Sequence, residues 1–555
     1  MKLSFYNPRR LASMAVVLVV CGALLGTRIE KAFSLDNAFE QIQKYSDVLN
    51  LVSKYYVDKI DMNALNEAAI VGLLNKLDPH SVYMPPRNVK QSDEEFSGKF
   101  EGIGVQFVMN HDSILIEQVL PEGPSEKVGL LPGDKIIQIN NKSTKGFTED
   151  SVRNNLRGPK GTKVNISIAR AGSAELLSFD ITRDVIPLVS VTSHFMVDNK
   201  TAYIALTRFI ATSHDEMVKA LVDLRGQGMQ RLVLDLRNNP GGYLEQAVEI
   251  ADEFLGGTKT IVYTKGRVSS FDEVNVSHPG QSYEKLPLVV LVSNGSASAS
   301  EIFSGSMQDL DRAPIVGENT FGKGLVQRQF QLSDGSAIRL TISRYYTASG
   351  RSIQRPYDGA KYVKGIQSED EEDNFGHFND VTDNDSSRPK FKTTSGRMIY
   401  GGGGITPDFI VKSDTVTRST INLFAASVFY DYTRDLVSDH GAELHKNYTP
   451  DSFVKDYAVS DETLNKIIDK GRAKINSKHD TVTANGVKMA ASKPKLDDKE
   501  IAIDKVFIKN WIRADLGRQI FGANVSARIR IETDKQFQKA FILVSEAQKM
   551  AELFK

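Results

Sequence analysis

An unbroken apolar run, Leu286-Pro287-Leu288-Val289-Val290-Leu291-Val292, passes directly into the densest cluster of small residues in the chain, Ser293-Asn294-Gly295-Ser296-Ala297-Ser298-Ala299-Ser300-Glu301. Apolar residues at every position suit a strand buried on both faces, as in a parallel sheet. Serines at its end suit the start of a helix. A helix N-terminus presents unpaired N–H groups, and small side chains let a carbonyl approach them. A serine there can attack that carbonyl while neighbouring amides hold the oxyanion. Plain helix capping would also place serines at this junction, and composition does not choose among Ser296, Ser298 and Ser300.

Outward from this junction, strands and helices alternate from Thr201 onward, the pattern of a largely parallel sheet with crossover helices. Leu232-Val233-Leu234-Asp235-Leu236 reads as a second buried strand, followed by the turn Pro240-Gly241-Gly242 and an amphipathic helix over Leu244 to Leu255. Ser213 and Glu216 form a capping-box pattern for a helix carrying Met217, Leu221 and Leu224. In such sheets, sites lie where strands hand over to helices.

Downstream, Gly317-Glu318-Asn319-Thr320-Phe321-Gly322-Lys323-Gly324-Leu325-Val326-Gln327 brackets one lysine between glycines as the chain enters a strand. Among small and apolar neighbours, Lys323 is expected to be more readily neutral than a surface lysine, and a neutral lysine can serve a serine as general base. Gln327, four residues on, is placed to orient it. Competing templates are weaker. No serine sits in Gly-x-Ser-x-Gly. Ser452-Phe453-Val454-Lys455 matches Ser-x-x-Lys but lies in a charged helical tail without companion motifs. The nine histidines show no paired metal spacing, so no metal is expected.

The chain has 555 residues, enough for about four domains of roughly 150 residues each. Lys plus Arg and Asp plus Glu both total 69, so no net field attracts nucleic acid. The lone cysteine, Cys21, excludes an intrachain disulfide framework. It lies in an apolar stretch, residues 11–26, preceded by Lys2, Arg9 and Arg10, the layout of an export signal or short membrane anchor over residues 1–30. Residues 36–97 read as a helical region, with apolar positions at helical spacing (Phe39, Ile42, Tyr45, Leu49, Val52) and a stop at Asp78-Pro79; His80 reads as a turn or packing residue. Residues 98–185 carry short alternating strands, 186–412 the α/β pattern, and 413–555 a mainly helical, charged extension with a linker-like stretch at 480–495. The acidic segment 368–385 reads as a surface loop.

With these motifs in order, the chain resembles the carboxy-terminal processing peptidases, also called tail-specific proteases, over residues 36 to 412. The matching segments are Leu73-Leu74-x-x-Leu77-Asp78-Pro79-His80-Ser81-x-Tyr83, Gly102-Ile103-Gly104 with Gly133-Asp134, Leu234 to Gly242, Ser296 to Gln327, Arg344 to Gln354 and Gly404 to Asp408. The resemblance implies a multidomain α/β protein: a crotonase- and Clp-protease-like catalytic domain, an inserted PDZ-like domain, and helical N- and C-terminal regions. It implies Ser298 as nucleophile, Lys323 as base at the family spacing of 25 (323 − 298), and Gln327 orienting the lysine. The oxyanion hole would use the N–H groups of Ala299 and of Gly241 or Gly242. Gly102, Ile103, Gly104 and Val105 would receive the carboxylate of a substrate C-terminus. Glu301 and Asp309 also fall on family motif positions and are read as structural, Asp309 as a partner of Arg312 or of a neighbouring loop.

The expectation is therefore a cofactor-independent serine endopeptidase acting on exposed C-terminal tails of proteins in a bacterial cell envelope, periplasmic or anchored through residues 11–26 facing the periplasm. The alternative is a noncatalytic PDZ-type scaffold or holdase. The extension is open to self-association, to an adaptor protein, or to no role beyond stability.

Overall fold

Every residue of Leu288–Val292 is buried, and this strand is flanked on both sides by parallel neighbours. The structure, a computed structural model, describes residues 39–110, 113–120, 122–170, 172, 173, 175–356, 388–477, 481–484, 487–490 and 496–553. Residues 1–30, expected from sequence to be an export signal or anchor with its apolar stretch 11–26, and the acidic segment 368–385 lie outside the described residues. The chain divides into two units, Met1–Tyr83 and Met84–Lys555.

In the first unit, a helix over 39–55 is followed by Met62–Leu74, which Asp61 caps by accepting from the N–H groups of Asn63 and Ala64. After it, Asp78 accepts from the N–H groups of His80 and Ser81 and from the Ser81 hydroxyl. The Asp-Pro stop is therefore a side-chain-closed turn.

The second unit opens with the helix Pro86–Ser97 and then the expected PDZ-like insertion. Lys99–Gly102 pairs antiparallel with Asp184–Pro187, joining the two ends of the insertion as a neck. Between them lie β1 (Val105–Asn110), β2 (Ser113–Val119), β3 (Lys135–Ile139), α1 (Glu149–Leu156), β4 (Lys163–Ala169) and β5 (Leu177–Thr182). Their sheet order is β1-β2-β3-β4-β5, which leaves β1 as an edge strand. Ile114, Ile116, Ile136, Ile166, Ile168 and Ile181 fill the core at alternate strand positions against Val152 and Leu156 of α1.

The mostly parallel sheet comprises β6 (Val191–Met196), β7 (Thr201–Leu206), β8 (Arg231–Asp235), β9 (Leu288–Val292), β10 (Ile315–Gly317) and β11 (Phe409–Ile410) in that spatial order. Only β6 is antiparallel to its neighbour. Helices α2 (Ser213–Gly226), α3 (Leu244–Asp252) and α4 (Ala299–Asp309) cover one face. The α2 cap is Thr212, whose hydroxyl donates to Glu216, rather than Ser213, whose oxygen accepts from Ile210 N–H.

The C-terminal region is helical. Its core gathers Leu423, Phe429, Phe453, Ile467, Ile508, Ile512 and Leu516, with the chain's single tryptophan, Trp511, against Phe424. Within the stretch expected to be a linker, Thr481–Ala484 and Val487–Ala490 instead pair as an antiparallel hairpin.

Candidate active site

Where β9 ends, a lattice of hydroxyls and amides fixes the turn into α4. Ser296 Oγ donates to Leu236 O at 2.7 Å and accepts from Ser293 N–H at 2.9 Å. Ser300 Oγ donates to Asn239 O at 2.8 Å, and that carbonyl also accepts from Ala297 N–H at 3.0 Å. Ser296 and Ser300 are fully buried, whereas Ser298 between them is partly exposed. Its backbone adopts φ 53°, ψ −112°, outside the common regions for an L-residue. Such strain persists only where surroundings enforce it and is concentrated at functional sites. Here Glu301 Oε2 accepts from Ser298 N–H at 2.9 Å, and the buried Tyr345 hydroxyl donates to Ser298 O at 3.1 Å. Burial raises the Tyr345 hydroxyl pKa well above its usual value, so it stays a donor.

Glu301 is fully buried. Besides Ser298 it accepts from Lys323 N–H at 2.9 Å, Gly322 N–H at 2.7 Å and the Thr320 hydroxyl. Burial pushes its carboxyl up from the usual range, opposed by these four hydrogen bonds. These contacts agree with the structural reading of Glu301: the carboxylate joins the serine turn to the lysine loop. The capping-box spacing from Ser298 to Glu301 was the signal that could have found it.

Lys323 is half-buried at the entry to β-strand Leu325–Gln331. Among the described residues its Nζ has no ion-pair partner, and no hydrogen bond joins it to Ser298 Oγ. The Gln327 amide donates to Thr341 Oγ1 at 3.4 Å on the neighbouring strand and does not touch the lysine. The structure thus brings Ser298 and Lys323 together through Glu301 and their backbones, with the side-chain contact unmade.

The Pro240-Gly241-Gly242 turn lies against the serine. A Cβ on Gly241 would fall 2.7–2.9 Å from Ala297 O, Ser298 Cβ and Ala299 N, and one on Gly242 would fall 1.9 Å from Phe209 O. Only glycine permits this approach. Gly241 N–H donates to Asn239 Oδ1 at 2.9 Å. Ala299 N–H, at the first position of α4, and Gly242 N–H make no hydrogen bond among the described residues, as oxyanion donors require.

Asp309 does not meet Arg312. It pairs with the fully buried Arg351 at 2.7 Å and accepts from Ser349 N–H and the Thr347 hydroxyl, whereas Arg312 donates to Phe254 O, Tyr283 O and Leu286 O. The neighbouring-loop expectation holds and the Arg312 expectation does not, because Arg312 donates to Phe254 O just past α3 and to Tyr283 O and Leu286 O in the segment entering β9.

In the PDZ-like insertion, Ile103 O accepts from Ser125 N–H at 3.0 Å and Oγ at 2.6 Å, and Gly104 O accepts from Leu120 N–H at 3.0 Å. Gly104 has φ +76°, a turn that glycine favours. Neither Ile103 nor Gly104 donates its N–H to a described residue, so the loop leading into edge strand β1 presents free donors.

Residues 200–363 match peptidase family S41 and residues 92–169 the PDZ domain. Residues 26–87 match the activating protease CtpB N-terminal domain, and 420–522 a family of unknown function. These matches define a serine-type peptidase carrying a PDZ domain. The carboxy-terminal-processing protease of Bartonella bacilliformis is 36% identical over 326 residues, covering 57% of this chain and 74% of that protein. The carboxy-terminal processing protease CtpA of Bacillus subtilis is 37% identical over 344 residues, covering 61% and 72% respectively. The solved photosystem II D1 C-terminal processing protease aligns at 28% identity over 55% of this chain and 81% of its own, with a TM-score of 0.32, too loose a superposition to carry geometry. The chain belongs to the carboxy-terminal processing proteases of peptidase family S41.

Proposed function

We propose that this chain is an exported endopeptidase that captures protein C-termini on Gly102, Ile103, Gly104 and Val105 and cleaves with Ser298 as nucleophile. The carrying observation is that Ser298 alone of the three candidate serines is partly exposed, while the hydroxyls of Ser296 and Ser300 are spent on backbone carbonyls.

Lys323 Nζ takes the proton of Ser298 Oγ as that oxygen attacks the scissile carbonyl. Ala299 N–H and Gly242 N–H hold the oxyanion; Gly241 serves by its small size. The lysine then protonates the leaving amine, takes a proton from a water as its oxygen attacks the acyl-enzyme, and returns that proton to Ser298 Oγ as the ester bond breaks and the product acid leaves. Substrate binding has one contact to complete, Nζ to Oγ, with Gln327 leaving Thr341 to orient the lysine. Catalytic contacts often tighten only in the substrate complex. The apolar stretch 11–26 supports a cell-envelope location, with tails met as an added strand on β1.

An unfolded protein with a free C-terminus, incubated with the wild type and with Ser298→Ala, tests the reading by mass spectrometry. Cleavage by the wild type alone supports it; two equally intact substrates would make the chain a tail-binding scaffold.

A further inference from the structure

A parallel sheet needs both faces covered. In β8 and β9, Leu232, Leu234, Leu288, Val290 and Val292 face α2, α3 and α4, while Val233, Val289 and Leu291 face the other way. What covers that second face is the end of the chain: α6 (Lys535–Leu553) through Phe537, Ala540, Leu543 and Val544, with Ala527 of α5 (Ala523–Arg530) packed against the same cluster. The match to the family of unknown function stops at residue 522, just where this return begins.

The return also carries polar groups to the active-site end of β8. Arg237 pairs with Asp235 at 2.6 Å, and Asp235 accepts from the Tyr203 hydroxyl at 2.8 Å. Just before α6, Asp534 Oδ2 lies 2.6 Å from Arg237, and in its first turn Gln536 Oε1 accepts from Arg237 at 3.0 Å. Asp534 Oδ1 meanwhile accepts from Phe537 N–H at 3.0 Å, capping α6, and Gln536 Nε2 donates to Val411 O at 2.8 Å. Arg237 stands directly before Asn238 and Asn239, and Asn239 holds Gly241 N–H, Ala297 N–H and the Ser300 hydroxyl. A displacement of Arg237 therefore reaches the glycines and the serine turn within a few bonds.

We infer that residues 523–553 belong to the peptidase itself, and that Asp534 is a positioning residue, acting with Gln536 through Arg237 to hold the Asn238–Gly242 loop against Ser298. The inference rests on the Ser298 peptidase reading. The last part of the extension is thus separated in role from residues 420–522.

The test uses the full chain and Asp534→Asn, which retains an oxygen to cap α6 while losing the charge opposite Arg237. Cleavage of an unfolded protein and phosphonylation of Ser298 by a small fluorophosphonate, which forms an Oγ–P bond and releases fluoride, are both measured, the latter because it needs no PDZ contact. The expected result is a loss of about 10- to 100-fold in kcat and in phosphonylation rate, the scale of an ångström-sized displacement, with KM within about twofold and partial recovery in Asp534→Glu. Unchanged kcat and phosphonylation, with or without a fall in Tm, would overturn the positioning role. Cleavage by Ser298→Ala at the wild-type rate would overturn the peptidase reading as well; an inactive Ser298→Ala beside a fully active Asp534→Asn overturns this inference alone.

Discussion

The backbone N–H groups of Ser298 and Lys323 converge on a single oxygen, Glu301 Oε2, each at 2.9 Å. Glu301→Gln puts an NH2 group against two of the four donors. Each buried donor left unpaired costs about 1–3 kcal/mol. The expected outcome is a measurable fall in Tm and a kcat lowered by about 100-fold with KM little changed, since the nucleophile turn and lysine loop lose their shared anchor. A variant with wild-type kcat would contradict that coupling.

Burial raises the Glu301 carboxyl, so the folded chain holds its proton more tightly than the unfolded chain. Its linked stability is fully present below the unfolded pKa and is lost as pH rises through the folded one. Protonation, however, removes an acceptor from the Ser298 and Lys323 amides. Acidification through the raised value is therefore expected to lower peptidase rate without lowering stability through this group. Rate and Tm measured in parallel check this, and a Tm that falls in step with the rate would speak against it.

Gly241→Ala places a methyl group within 2.9 Å of Ala299 N, Ser298 Cβ and Ala297 O at φ +102°. The loop must retreat from the serine. Fluorophosphonate labelling of Ser298 is expected to slow by about 100-fold, the scale of a lost oxyanion donor, while far-ultraviolet circular dichroism stays unchanged.

Asp309 and Arg351 form a pair with neither side chain exposed. Removing one partner leaves a buried, uncompensated charge, so Asp309→Asn is expected to cost about 3–5 kcal/mol in denaturant unfolding. Combining it with Arg351→Met should recover part of that loss; an additive double variant would show that the two do not act as a pair.

Free N–H groups at Ile103 and Gly104 make a carboxylate the expected ligand of the PDZ loop. A labelled peptide ending in a free acid should bind by anisotropy at least about tenfold more tightly than its C-terminal amide, given about 1.5–3 kcal/mol for a hydrogen bond to a charged group. Equal affinities would move recognition away from this loop.

The parallel sheet was readable in sequence because strands buried on both faces leave unbroken runs such as Leu288 to Val292. The serine junction was readable for a related reason, since close packing against Asn239 and Gly241 tolerates only small side chains. The choice of Ser298 over its neighbours was not readable from composition, because it depends on which hydroxyls meet Leu236 O and Asn239 O, carbonyls some 60 residues upstream. Distance in sequence hid the rest too. Asp309 finds Arg351 across 42 residues (351 − 309), and Asp534 reaches Arg237 across 297 (534 − 237). The hairpin at 481–490 was missed because two four-residue strands carry little periodicity.

The most direct test of the central claim is intact-mass detection of the acyl-enzyme after incubation with an unfolded protein, comparing the wild type with Lys323→Ala and Ser298→Ala. The account expects a substrate-derived adduct mapped to Ser298 in the wild type and none in either variant. An adduct at Ser296 or Ser300, or undiminished acylation in Lys323→Ala, would contradict it.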